Sequence, residues 1–137
     1  MRIVLDTNAL LVSIAKKSMF YPVFQGIFQG KFILCVSNEI ITEYEEIIAK
    51  KTTPEIAENI LNAILDSPYI EKVEIFYNFN LIYADPDDNK FVDCAISAGV
   101  KYIVSNDKHY NILKSITHPK VDVMKIEDFL IELEKSK

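Results

Sequence analysis

The sequence predicts an α/β domain in which a parallel sheet is sandwiched by helices. Short runs of β-branched and aliphatic residues alternate with segments whose apolar residues recur at helical spacing. Two of the short runs stop abruptly at a polar cluster containing an aspartate. The 137 residues are enough for one domain with a sizeable core and too few for two, so a single domain over residues 1–137 is expected.

Arg2-Ile3-Val4-Leu5 is short, β-branched and ends at Asp6, which predicts a buried strand. Leu10, Leu11, Ile14 and Ala15 then carry helical spacing. Phe32 through Val36 predicts a second strand, with Ser37 or Asn38 as the N-cap of the next helix. Ile40, Tyr44, Ile47 and Ile48 mark one face of that helix. Pro54 opens another, striped by Ile56, Ile60, Leu61, Ile64 and Leu65. Val73 through Phe76 predicts a strand. Asp85-Pro86 predicts a helix start, with Asp85 as cap and the helix running to Gly99. Lys101 through Val104 predicts a strand ending at Ser105-Asn106-Asp107. A short helix, a strand at Val121–Met124 and a terminal helix from Glu127 complete the chain.

Composition excludes several classes. At 50% hydrophobic the chain is not disordered, and no apolar run approaches the roughly 20 residues of a membrane span. Asp6 and Asn8 interrupt the apolar stretch near the N-terminus, so no signal peptide is expected there. Cys35 and Cys94 sit apart in apolar segments and read as reduced, buried thiols of a cytoplasmic protein. A net charge of −5 argues against coating nucleic acid with a broad basic face, but not against an enzyme that acts on it. Of the 15 basic residues only Arg2 is arginine, so bidentate phosphate recognition is not a resource of this chain.

In open parallel sheets the site lies beyond the carboxyl ends of the strands, where strand order reverses. Asp6 and Asp107 each follow a strand and would reach that edge together. The alternative for each is a helix cap or turn residue. Asp88 shares a helical face with Val92 and Ala95 and so points into protein, where an acid needs a partner such as a metal. Asp93 is a supporting candidate beside it. Periodicity leaves Glu43 and Glu45 on opposite margins of the Ile40 stripe and does not choose between them. Clustered carboxylates suit Mg²⁺ or Mn²⁺ and the hydrolysis of a phosphodiester. His109 and His118 lack a metal-ligand spacing, so zinc is not expected. No serine-hydrolase elbow or phosphate-binding glycine loop is present.

Ile3-Val4-Leu5-Asp6-Thr7-Asn8 resembles the opening of PIN-domain ribonucleases. Ser37 through Ile48 is similar to their second acidic segment, and this resemblance selects Glu43. Asp85 through Ala95 resembles the third, with Asp88 in the ligand position. Tyr102 through Asp107 resembles the fourth, with Ser105 where the family usually has threonine. The match spans nearly the whole chain in order and looks closest to VapC-like toxins of toxin–antitoxin systems. It implies a Rossmann-like three-layer α/β/α sandwich and Mg²⁺- or Mn²⁺-dependent RNA cleavage. It also implies a homodimer with an antitoxin partner.

On this reading Asp6, Glu43, Asp88 and Asp107 hold the metal. Thr7, Asn8, Asp93 and Ser105 support them, and Lys16, Lys90 and Lys108 attract phosphates. Two other classes compete. One is a catalytically idle PIN fold that only binds. The other is an aspartate-based phosphatase or phospho-receiver, which would need a second Asp where Asn8 stands.

Overall fold

The computed structural model describes residues 1–82 and 85–135. Five strands form one parallel sheet: β1 (Arg2–Leu5), β2 (Ile33–Val36), β3 (Ile70–Lys72), β4 (Tyr102–Val104) and β5 (Val123–Met124), in the spatial order β3-β2-β1-β4-β5. The helices are α1 (Thr7–Ile14), α2 (Tyr21–Gln29), α3 (Asn38–Lys51), α4 (Pro54–Asp66), α5 (Asn89–Ala98) and α6 (Ile126–Lys135). Ile3, Val4 and Leu5 are all fully buried. Successive strand residues face opposite sides, so both faces of the sheet are covered, as in a three-layer sandwich. No helix among the described residues is long and apolar enough to cross a membrane.

Strand order grows outward from β1 in both directions. The chain builds β2 and β3 on one side, then returns to lay β4 against the other side of β1. The reversal falls between β1 and β4, whose register pairs Leu5 with Val104. Asp6 and Ser105 therefore leave the sheet side by side, and the Asp6 amide donates to the Val104 carbonyl at 3.1 Å.

Ser37 caps α3, accepting from the Ile40 amide at 3.3 Å, and Thr53 caps α4 in the same manner. Both cysteines are buried and unbridged. Arg2 forms an ion pair with Glu71 and donates to the Ala98 carbonyl at 2.7 Å. The one arginine is thus committed at the amino end of β1, opposite the acids.

Two expectations need correction, and one helix is added to the elements expected. The third strand is Ile70–Lys72 rather than Val73–Phe76. Its partner β2 ends at Val36, whose carbonyl takes the Val73 amide at 2.7 Å, and no ladder continues beyond that point among the described residues. Phe76 is 87% exposed. Helix α2 was not expected, yet Pro22 lies in its first turn and Gly30 ends it at φ 73°. The first turn after Asp85 is a short 3-10 turn, Pro86–Asp88, and the α-helix begins only at Asn89.

Candidate metal centre

Asp6 is only 5% exposed. It precedes α1, but its side chain makes no capping bond. Instead one carboxylate oxygen accepts from Ser105 Oγ at 2.6 Å, and the same hydroxyl oxygen accepts from the Asp107 amide at 3.0 Å. Ser105 therefore links the two strand-end acids, which its place one residue beyond β4 allows. Burial above all, and then the charge of Asp107, holds the Asp6 carboxyl above its ordinary range against the opposing Ser105 bond.

Asp107 does act as a cap: its Oδ1 accepts from the His109 amide at 2.8 Å and opens the 3-10 helix Lys108–Ser115. That turn folds the His109 ring back over the acids. Its Nδ1 lies 3.1 Å from Asp107 Oδ1, 3.3 Å from Asp88 Oδ2 and 3.9 Å from Asp85 Oδ2. Asp88 is 8% exposed. Burial first, then the charges of Asp107, Asp6 and Asp85, push its carboxyl up to about 7, with the His109 hydrogen bond opposing.

Glu43 reaches in from α3. It accepts from Thr7 Oγ1 and from Lys90 Nζ, the latter at 2.6 Å. Tyr44 beside it is fully buried, and its hydroxyl donates to the Leu5 carbonyl at 2.5 Å, fastening α3 to the end of β1. Glu45 is exposed. Asp93 is buried, but its carboxylate receives the Phe79 amide at 2.9 Å, which ties down the segment before the site. Asn8, Lys16 and Lys108 are exposed. Lys90 is half-buried against Glu43, at one side of an open groove of about 590 Å³ that runs along α3.

Among the described residues, one group offers three metal-capable side chains with ligand atoms within 4.8 Å of one another: Asp85, Asp88 and His109. Asp6 and Asp107 act on Asp88 through their charge without joining that group. Sequence reasoning passed over His109 because it sought a spacing between histidines. The available signal was the position of His109 two residues after a capping Asp.

Hard oxygens with one imidazole nitrogen form a donor set that fits a divalent cation. Tyr110 gives a separate indication. Its hydroxyl is buried without a hydrogen-bond partner, and after burial itself the charges of Asp6, Asp88, Asp107 and Glu43 are what raise its ionisation far above the usual range. An orphan donor in an acid-rich interior is a place for a bound water or ion.

The fold and site define an α/β domain with acids gathered at the switch point of a parallel sheet. The chain belongs to the PIN-domain family, whose profile matches residues 2–109. No curated protein sequence matches it. Among solved structures it is similar to VapBC2 from Rickettsia felis bound to a promoter DNA fragment, at 16% identity and TM-score 0.64. That match covers 91% of this chain and 98% of the other. DNA-bound VapBC from Salmonella typhimurium is similar at 16% identity and TM-score 0.61, covering 92% and 98%. The PIN domain endonuclease Utp24 gives 17% identity and TM-score 0.55, covering 90% and 84%. At such identities the likeness concerns the fold.

Proposed function

We propose that the protein is a divalent-metal-dependent endoribonuclease and the toxin component of a toxin–antitoxin pair. The observation that carries this reading is the buried acid pair Asp6 and Asp88, beside Asp107 at the switch point of a PIN-domain sheet. Two buried carboxylates, each with its proton affinity raised by burial and by the charge of Asp107, are costly to the fold, and a cation offsets that cost.

Asp6, Asp88 and Asp107 would hold Mg²⁺ or Mn²⁺, with Glu43 completing the set from α3. The ion supplies, when bound, activation of water and neutralisation of the charge that grows on the phosphate during in-line attack. Ser105 orients Asp6 and Thr7 orients Glu43, each through a hydroxyl hydrogen bond. Lys90, at the groove wall, and the exposed Lys16 and Lys108 would draw the RNA backbone.

The similarity to VapBC assemblies on DNA supports an antitoxin partner, and the similarity to an endonuclease supports the chemistry. A homodimer and a cytoplasmic location complete the proposal. Purified protein is expected to cleave single-stranded RNA with Mg²⁺ or Mn²⁺, and to stop with a chelator or with Asp6→Asn. Equal cleavage with and without chelator overturns the mechanism. Growth arrest on expression, relieved by co-expressing a neighbouring small DNA-binding protein, tests the toxin role.

A further inference from the structure

The geometry points to His109 as a nitrogen ligand of the cation, joining Asp88 and Asp85 and biasing the site towards Mn²⁺ and other first-row transition ions over Mg²⁺. This inference rests on the proposal that the site takes a divalent cation. It goes beyond it by assigning two ligands outside the four carboxylates, His109 and Asp85, and by naming the class of metal preferred.

Three observations carry it. First, Asp85, Asp88 and His109 already present their ligand atoms within 4.8 Å of one another. Second, His109 Nδ1 faces three carboxylate oxygens, at 3.1, 3.3 and 3.9 Å. One ring nitrogen carries at most one hydrogen and serves one such oxygen at a time, whereas a cation among them attracts all the donors at once. Third, the Tyr110 hydroxyl, on the next residue, is buried without an acceptor in the field of Asp88 and Asp107, together with Asp6 and Glu43. A cation-bound water would give that donor its partner.

The orientation of the ring is set by the backbone. Asp107 holds the His109 amide at 2.8 Å, so the first turn of the 3-10 helix directs the imidazole at Asp88. Imidazole nitrogen suits transition ions, while Mg²⁺ favours oxygen donors and retained waters. Replacing an oxygen donor by nitrogen therefore shifts relative affinity along the first-row series.

The test uses the full chain loaded with Mn²⁺ and pulsed electron spin-echo spectroscopy, which detects a coordinated ¹⁴N. The expected result is nitrogen modulation in the wild type that is lost in His109→Gln and kept in His118→Gln, His118 being the other histidine and exposed. Calorimetric titrations should show His109→Gln lowering Mn²⁺ affinity by at least about tenfold. Mg²⁺ affinity should change by less than about threefold. Wild-type protein that binds Mn²⁺ without nitrogen modulation overturns this inference and leaves the carboxylate site standing. So does an equal loss of both affinities. A wild type that binds neither ion overturns both proposals together.

Discussion

Glu43 and Glu45 show how two residues on one helix turn differ in chemistry. Glu43 is partly buried, bonded to Thr7 and to Lys90, and next to the Tyr44 that fastens α3 to β1. Glu45 is exposed. Glu43→Gln is expected to lower the RNA-cleavage rate by orders of magnitude while the melting temperature moves little, because an amide still accepts from Thr7. Glu45→Gln should change stability by less than about 0.5 kcal/mol and leave the rate near wild type. Rate assays and melting curves on both variants check this. An essential Glu45 beside a dispensable Glu43 would mean that α3 presents a different face to the site.

At the scale of elements, the segment after β3 is held by side chains rather than by a ladder. Asn89, at the start of α5, clamps Ile82 through two 2.9 Å bonds, accepting its amide and donating to its carbonyl. Asp93, one turn further, holds the Phe79 amide. These two residues fasten the strand-free stretch between β3 and Ile82 to the helix that follows Asp85 and Asp88. Asn89→Ala leaves both Ile82 groups buried and unpaired, so a loss of about 1–3 kcal/mol is expected. Hydrogen exchange should rise first at Ile82 and Phe79. Unchanged protection there would show that the clamp carries little of the local stability.

For the whole molecule, the acids link stability to pH. The folded pKa of Asp88 is raised to about 7 and that of Asp6 is raised as well, both by burial first, whereas unfolded aspartates titrate near 3.9. Between those values the folded state binds more protons than the unfolded one, so stability falls as pH rises. The metal-free protein should therefore be most stable near pH 4 in this respect and lose stability up to about pH 7. Asp88→Asn removes the ionising group. It should raise the metal-free melting temperature at pH 7 by a few degrees, with the gap to wild type closing towards pH 4. Added Mn²⁺ should restore the wild type by mass action. Melting curves in chelator across that range measure it. A flat wild-type profile would mean that these carboxyls ionise in the folded state as freely as in water.

Parallel α/β architecture was legible in the sequence because fully buried strands must be short apolar runs, and amphipathic helices must repeat their apolar positions. Asp6, Ser105 and Asp107 were placed for the same local reason: a residue that follows a strand leaves the sheet at its carboxyl edge. The family resemblance then separated Glu43 from Glu45, which periodicity alone left equal. The third strand was misplaced by three residues because Val73–Phe76 is the more apolar run, whereas the true strand lies at the sheet edge and carries Glu71 and Lys72. Only the end of β2 at Val36 decides which one has a partner. His109 gains its significance from contacts across 21 residues of sequence or more, with Asp88 and Asp85 brought under the ring by the crossover from β3 to β4. Sequence pattern determined which residues reach the site's edge. The tertiary structure decided which of their atoms meet there, because non-local distances are set by strand order and have no periodicity to betray them.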